Sequence, residues 1–174
     1  MTSSVIYWLN HSYEIIGVNS EWDRFALSNG GDDILSHLII GKPLFAFIMG
    51  DSTRMFVDNL LRRARIPHHD VCKSYRCDSP DLKRYMEMRI IPESPQVLRL
   101  EHTMLRQEAT MPPVFYQYNP TIHHPYRRCS VCNKVLYRYI WNEGSDLIHS
   151  LPQPPAHPID VVYHVCPHCF YHLA

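Results

Sequence analysis

An excess of charge of either sign is missing from this sequence of 174 residues, where seventeen basic side chains cancel seventeen acidic ones. Without a global field, neither nucleic acid nor an anionic membrane surface is favoured as a partner. The basic pairs Arg62-Arg63 and Arg127-Arg128 are too short for a phosphate footprint and read as solvated faces. Residues 1–10 lack a basic segment followed by a sustained apolar stretch, so no secretory leader is expected. The most apolar later stretch, 35–49, is broken by His37 and by Gly41-Lys42-Pro43, which argues against a membrane span of about 20 residues. The expected compartment is the cytoplasm, where six cysteines stand as thiols or metal ligands and not as disulfides. There is no glycine-rich phosphate loop, G-x-S-x-G elbow, kinase signature or convincing Ser-His-Asp set, so no enzyme activity is expected.

What is present suits a soluble globular protein, since 45% of residues are hydrophobic and only 20% charged. Short apolar-rich runs at 5–10 and 14–19, joined by His11-Ser12-Tyr13, predict a β-hairpin. The period then changes. Ser20 is placed to cap a helix carrying Trp22, Phe25 and Ala26, which Asn29-Gly30-Gly31 ends. A short helix is expected after Gly41-Lys42-Pro43. Asp51 is placed to cap a longer helix with the apolar stripe Met55, Val57, Leu60, Leu61 and Ala64, closed by Pro67. Three strands follow at 70–77, 83–91 and 96–106, separated by Asp-Ser-Pro-Asp and Pro-Glu-Ser-Pro turns. Met86, Met88 and Ile90 share one strand face, opposite Glu87 and Arg89, as a half-buried antiparallel sheet requires. Leu98, Leu100, His102 and Met104 likewise share a face, which puts one histidine on the apolar side.

Residues 107–128 carry Pro112, Pro113, Pro120 and Pro125 among Phe115, Tyr116, Tyr118 and Tyr126, the composition of an extended connector packed through aromatics. The expected organisation is a domain at 1–106, this connector, and a module at 129–174. In that module Cys129-x-x-Cys132 and Cys166-x-x-Cys169 are two matched pairs separated by 33 residues. Each pair suits a tight knuckle donating two thiolates, and together they predict a tetrahedral structural Zn²⁺ site with no position open to water or substrate. Arg127, Arg128, Lys134 and Arg138 lie near in sequence to moderate the −2 charge of four thiolates around Zn²⁺. Ordinary buried cysteines and a redox dithiol are the competing readings. A redox pair normally opens a helix in a thioredoxin-like βαβ setting, which is missing here.

Other candidates are weaker. Cys72 and Cys77 are expected on opposite faces of one strand, unable to share a ligand, with Cys77 a buried small hydrophobe against the alternative of a reactive or ligand-sensing thiol. His102 is a candidate contact for a ligand or cofactor, against the alternative of a core histidine satisfied by one hydrogen bond. His68-His69 and His123-His124 are expected to face solvent, and His164, His168 and His172 to lie outside a complete Cys₄ set.

The element order, with Ile15-Ile16-Gly17-Val18-Asn19-Ser20-Glu21-Trp22 and Gly41-Lys42-Pro43-Leu44-Phe45, resembles the PAS sensor family over residues 4–106. The resemblance implies an α+β fold, a five-stranded antiparallel sheet with helices on one face, often enclosing an apolar cavity for a small ligand. The flavin photosensors of that family use a reactive cysteine that has no counterpart between Gly41 and Arg65. Haem sensors present a histidine from the long helix, and 51–66 has none, so haem would need His102, His68 or His69. The segment from Arg128 to Val135, then Trp141, then Tyr163 to Cys169 is similar to a cysteine-rich, zinc-ribbon-like ending of some bacterial PAS proteins and response regulators. Together these imply a bacterial signalling protein whose output passes through a protein partner or self-association. A nucleic-acid adaptor using the zinc module and a thiol-redox protein are the alternatives.

Overall fold

The computed structural model describes residues 4–123, 125–153, 155 and 157–172. Strands β1 (Val5–Leu9) and β2 (Ile15–Val18) form the expected hairpin. Its turn is organised by Asn10, whose side-chain oxygen accepts from the amides of Ser12 and Glu14 at 2.9 Å each. Helix α1 (Ser20–Ser28) starts from Asn19 and not from Ser20. Asn19 makes no capping bond because its amide clamps β1 instead, accepting from Ile6 N–H and donating to the Ser4 carbonyl. Beyond α1 the chain turns at Gly30, with φ +71°, and Gly31 N–H returns to the Ala26 carbonyl.

Two 3₁₀ turns and the short helix α2 (Ser36–Ile39) lead to α3 (Asp51–Arg65). The cap of α3 is Gly50 and not Asp51. Gly50 has φ +84°, and a Cβ there would stand 2.7 Å from the Tyr163 carbonyl oxygen, so glycine is required by both backbone and neighbour. Asp51 instead opens the first turn and pairs with Arg54. The stripe of α3 buries Phe56, Leu60, Leu61 and Ala64, whereas Met55 is exposed.

Strands β3 (Val71–Arg76), β4 (Leu82–Ser94) and β5 (Val97–Ala109) complete an antiparallel sheet of order β2-β1-β5-β4-β3. With its helices on one face this is the expected α+β architecture, a five-stranded antiparallel sheet. β4 runs on through Pro92, past the expected end at 91. Val71 pairs with Ile90, so beyond that point β4 has no neighbour on the β3 side and a proline costs no ladder bond. Met86, Met88 and Ile90 face the core with Leu98 and Leu100, while Arg89 reaches Asp70 and Arg99 reaches Glu93 and Glu101 on the other face.

A second five-stranded sheet follows, from β6 (Tyr116–Tyr118), β7 (Tyr126–Cys129), β8 (Val135–Tyr137), β9 (Ile140–Asn142) and β10 (Ile159–His164), with helices α4 (Gly144–Ser150) and α5 (Pro167–Tyr171). Its order is β6-β10-β7-β8-β9, the last strand lying parallel between β6 and β7. The proline- and tyrosine-rich stretch 107–128 therefore supplies the end of β5 and two strands of this sheet. Val114, Val135, Leu147, Ile159 and Val161 form its small core. The cysteines and their neighbours Val131 and Val165 belong instead to the main core, with Phe56, Leu60 and Leu61. Among the described residues no helix is long and apolar enough to cross a membrane.

Candidate metal centre and the adjoining cavity

Two local devices and one long-range pairing build the centre. Cys129 ends β7, and the chain reverses through Asn133 at φ +60°, closed by Asn133 N–H to the Cys129 carbonyl and Cys129 N–H to the Lys134 carbonyl. Cys166 is the N-cap of α5, its sulfur accepting from Cys169 N–H, with Pro167 pre-set in the first helical turn. The parallel register of β10 against β7 pairs His164 with Cys129, which delivers the second cysteine pair beside the first.

The four Sγ atoms of Cys129, Cys132, Cys166 and Cys169 all lie within 4.8 Å of one another, and those of Cys132 and Cys166 are 3.9 Å apart. Bonds of about 2.3 Å to a tetrahedral zinc would set sulfurs roughly 3.8 Å apart, so the group can hold such an ion. Backbone amides already point at the sulfurs: Cys129 Sγ accepts from Val131 N–H at 3.5 Å and Cys166 N–H at 3.4 Å. Hydrogen bonds from the Cys132 and Cys169 side chains hold Cys129 well below the usual thiol range. The same bond pushes Cys132 up to about 12, and Cys169 is raised further by its bonds to Cys129 and Cys132. A divalent cation bound here would take all four sulfurs as thiolates, displacing their protons.

Two of the four basic residues nearest in sequence lie over aromatic rings, Arg128 over Tyr116 and Arg138 over Tyr137. His164 stacks on Trp141, and His168 stacks on His172, so none of the three histidines joins the sulfur group.

The centre is docked against α3 and β3. Thr53 and Ser130 hydroxyls pair at 2.7 Å, and Ser52 Oγ accepts from Val165 N–H at 2.9 Å. The edge strand β3 donates Arg76 N–H to the Val131 carbonyl at 2.8 Å, and Asn133 returns a bond to the Arg76 carbonyl. The Arg76 guanidinium binds Asp78 and, at 2.8–2.9 Å, both carboxylate oxygens of Glu143, tying β3 to the start of α4. Lys73, buried on the inner face of β3, donates to the His172 carbonyl beyond the last cysteine.

Beside the centre lies a cavity of about 350 Å³, walled by the sheet, by α3 and by Ser130 and Val131 of the cysteine knuckle. His102 stands on its wall. The imidazole stacks on Tyr7 with ring centres 5.5 Å apart, and its Nδ1 is 2.7 Å from the Tyr75 hydroxyl. Burial pushes its pKa down to about 4, so the ring is neutral at physiological pH. Its Nε2 is buried with no hydrogen-bond partner among the described residues. A second hollow of about 230 Å³ shares His102, Tyr7 and Tyr75 and reaches Cys77, whose thiol burial pushes up.

Cys72 is exposed on the opposite face of β3 from the Val71, Lys73 and Tyr75 side, apart from the hollow that Cys77 borders. His68, His69 and His123 are exposed, and His124 lies outside the described residues. Sequence reasoning missed Lys73, Ser130 and Val131 as cavity walls. The alternation Val71, Lys73, Tyr75 was the available signal for Lys73, whereas nothing local marks the other two.

No protein-family model matches this chain, and no curated protein matches it. Among solved structures it is similar to a sensory box sensor histidine kinase from Vibrio cholerae, with 14% identity over 60% of this chain and 83% of that one, at a TM-score of 0.46. It is also similar to a domain of an HTR-like protein from Haloarcula marismortui ATCC 43049, with 16% identity over 59% of this chain and 98% of that one, at a TM-score of 0.42.

Proposed function

We propose that this chain is a bacterial cytoplasmic signalling protein, not an enzyme, in which the PAS-like domain senses a small ligand and a structural zinc module reports or stabilises its state. The observation that carries this reading is the shared wall: Ser130 and Val131, between two of the four cysteines, line the cavity of the first sheet. Zinc is the metal best suited to four sulfurs in a closed tetrahedral set, and with every position filled its role is structural. The ligand acts by binding two arrangements of the docked module with different affinity, and the output passes to a partner protein or a second copy.

Native mass spectrometry of untagged protein purified without added metal tests this directly. The expected spectrum shows one zinc per chain and a further small-molecule mass that is lost on denaturation. Protein with no metal, or with metal whose four thiols still react with alkylating agents, overturns the structural-zinc part. A cavity that neither retains nor takes up any small molecule overturns the sensor part.

A further inference from the structure

The cavity wall states what its occupant must offer. Most of it is apolar, with Ile15, Leu44, Phe56 and Met88 among the lining residues. Several of its polar groups have partners: Thr53 and Ser130 bind each other, Lys73 binds the His172 carbonyl, and Trp22 Nε1 donates to the Ile34 carbonyl, whereas the hydroxyl of the lining residue Tyr7 has no hydrogen bond among the described residues. Among the described residues, four buried side-chain nitrogens lack a hydrogen bond, and of these only His102 Nε2 belongs to a residue lining this cavity.

The proton on that ring can be placed. Desolvation raises the Tyr75 phenol above its ordinary range, so it carries its proton. If Tyr75 O–H donates to Nδ1, the imidazole proton sits on Nε2 and one group is left unpaired. If Nδ1–H donates to the phenol oxygen, both the phenol proton and Nε2 lack partners. An unpaired buried polar group costs its full desolvation penalty, so the arrangement with one such group wins. Nε2–H is therefore a donor in search of an acceptor.

Resting on the reading of the cavity as a ligand site, we propose that it takes an uncharged, mainly apolar organic molecule bearing one hydrogen-bond-accepting oxygen, which receives the Nε2–H of His102. A volume of about 350 Å³ lies at the small end of ligand pockets, fitting a compact molecule such as a single substituted ring. The neutral imidazole offers no charge to an anion, and one of the three donors of Lys73, the ammonium on the wall, is taken by a backbone carbonyl.

The test uses the full zinc-loaded chain and three probes of similar size, acetophenone, ethylbenzene and benzoate, titrated by heteronuclear NMR. Acetophenone is expected to bind roughly three- to tenfold tighter than ethylbenzene, the worth of one hydrogen bond. That ratio should fall to about one in His102→Phe, and also in Tyr75→Phe, which frees the tautomer without removing the imidazole. The ¹⁵N shifts of His102 should report the neutral Nε2–H form. Equal affinities for acetophenone and ethylbenzene, benzoate as the tightest probe, or an Nδ1–H tautomer would overturn the assignment of ligand class alone. Binding of none of the three would overturn both this assignment and the sensor reading.

Discussion

The two sheets of this molecule bury their residues by different means. The first, β1 to β5, is built on two thirteen-residue strands, β4 and β5, and a fifteen-residue helix whose Leu60, Leu61 and Ala64 are fully enclosed. Each such leucine stabilises the fold by about 1.5–3 kcal/mol, so this part carries its own core. The second has strands of three to six residues and a core of five buried side chains. Its cysteines turn away from that core and into the larger one. The second sheet thus leans on docking and on a four-sulfur group able to hold a metal ion, and the knuckle that carries two of those sulfurs also finishes the cavity of the first.

The sharpest way to break this comparison is to remove one sulfur. Cys132→Ser or Cys166→Ser should abolish metal binding and the hydrogen-exchange protection of residues after about 128, since structural zinc contributes roughly 10 to 16 kcal/mol of apparent binding energy. β1, β4 and β5 should keep slow exchange. Uniform collapse of both sheets, or retained metal by elemental analysis, would contradict the division.

Acid sharpens the comparison from the other side. The folded pKa of His102, about 4, lies below its ordinary 6.5, so the unfolded chain takes up a proton first as pH falls. The contribution is fully present above about pH 6.5 and is lost as pH drops toward 4, amounting to about 3 kcal/mol. Urea titrations across this window should show a steeper loss for the wild type than for His102→Phe. Parallel curves for the two would refute a neutral buried imidazole.

Smaller changes probe the seam between the sheets. Gly50→Ala places a side chain in a left-handed conformation and against the Tyr163 carbonyl, and should cost more than about 1 kcal/mol of stability by chemical denaturation. Thr53→Val leaves the Ser130 hydroxyl without its partner and should cost about 1 kcal/mol. In both variants the amides of 163–169 should exchange faster while those of β4 stay unchanged.

The comparison also explains what could be read in advance. Alternation at Met86, Met88 and Ile90 is a local signal for the sequential strands β3, β4 and β5, and the apolar stripe is one for α3, whereas the pairing of β1 with β5 spans most of the first sheet's sequence. The caps were misplaced by one residue because Asn19 is committed to β1 and Gly50 to Tyr163, partners outside any local window. The cysteine pairs announce their chemistry by spacing alone. Their position over the cavity depends on β10 entering parallel between β6 and β7, a pairing across more than thirty residues that no turn signal encodes. The unpaired Nε2 of His102 depends in turn on Tyr75 reaching its other nitrogen from β3.

The most direct test of the shared wall is the exchange rate of one amide before and after the metal is stripped from the full chain by a chelator. Arg76 N–H lies on the edge of the first sheet and is bonded to the Val131 carbonyl of the cysteine knuckle. Metal removal should make that amide exchange much faster, together with the knuckle itself, while the β4–β5 ladder stays protected. An Arg76 amide equally slow with and without metal would mean that the metal centre neither closes the cavity nor reports on it.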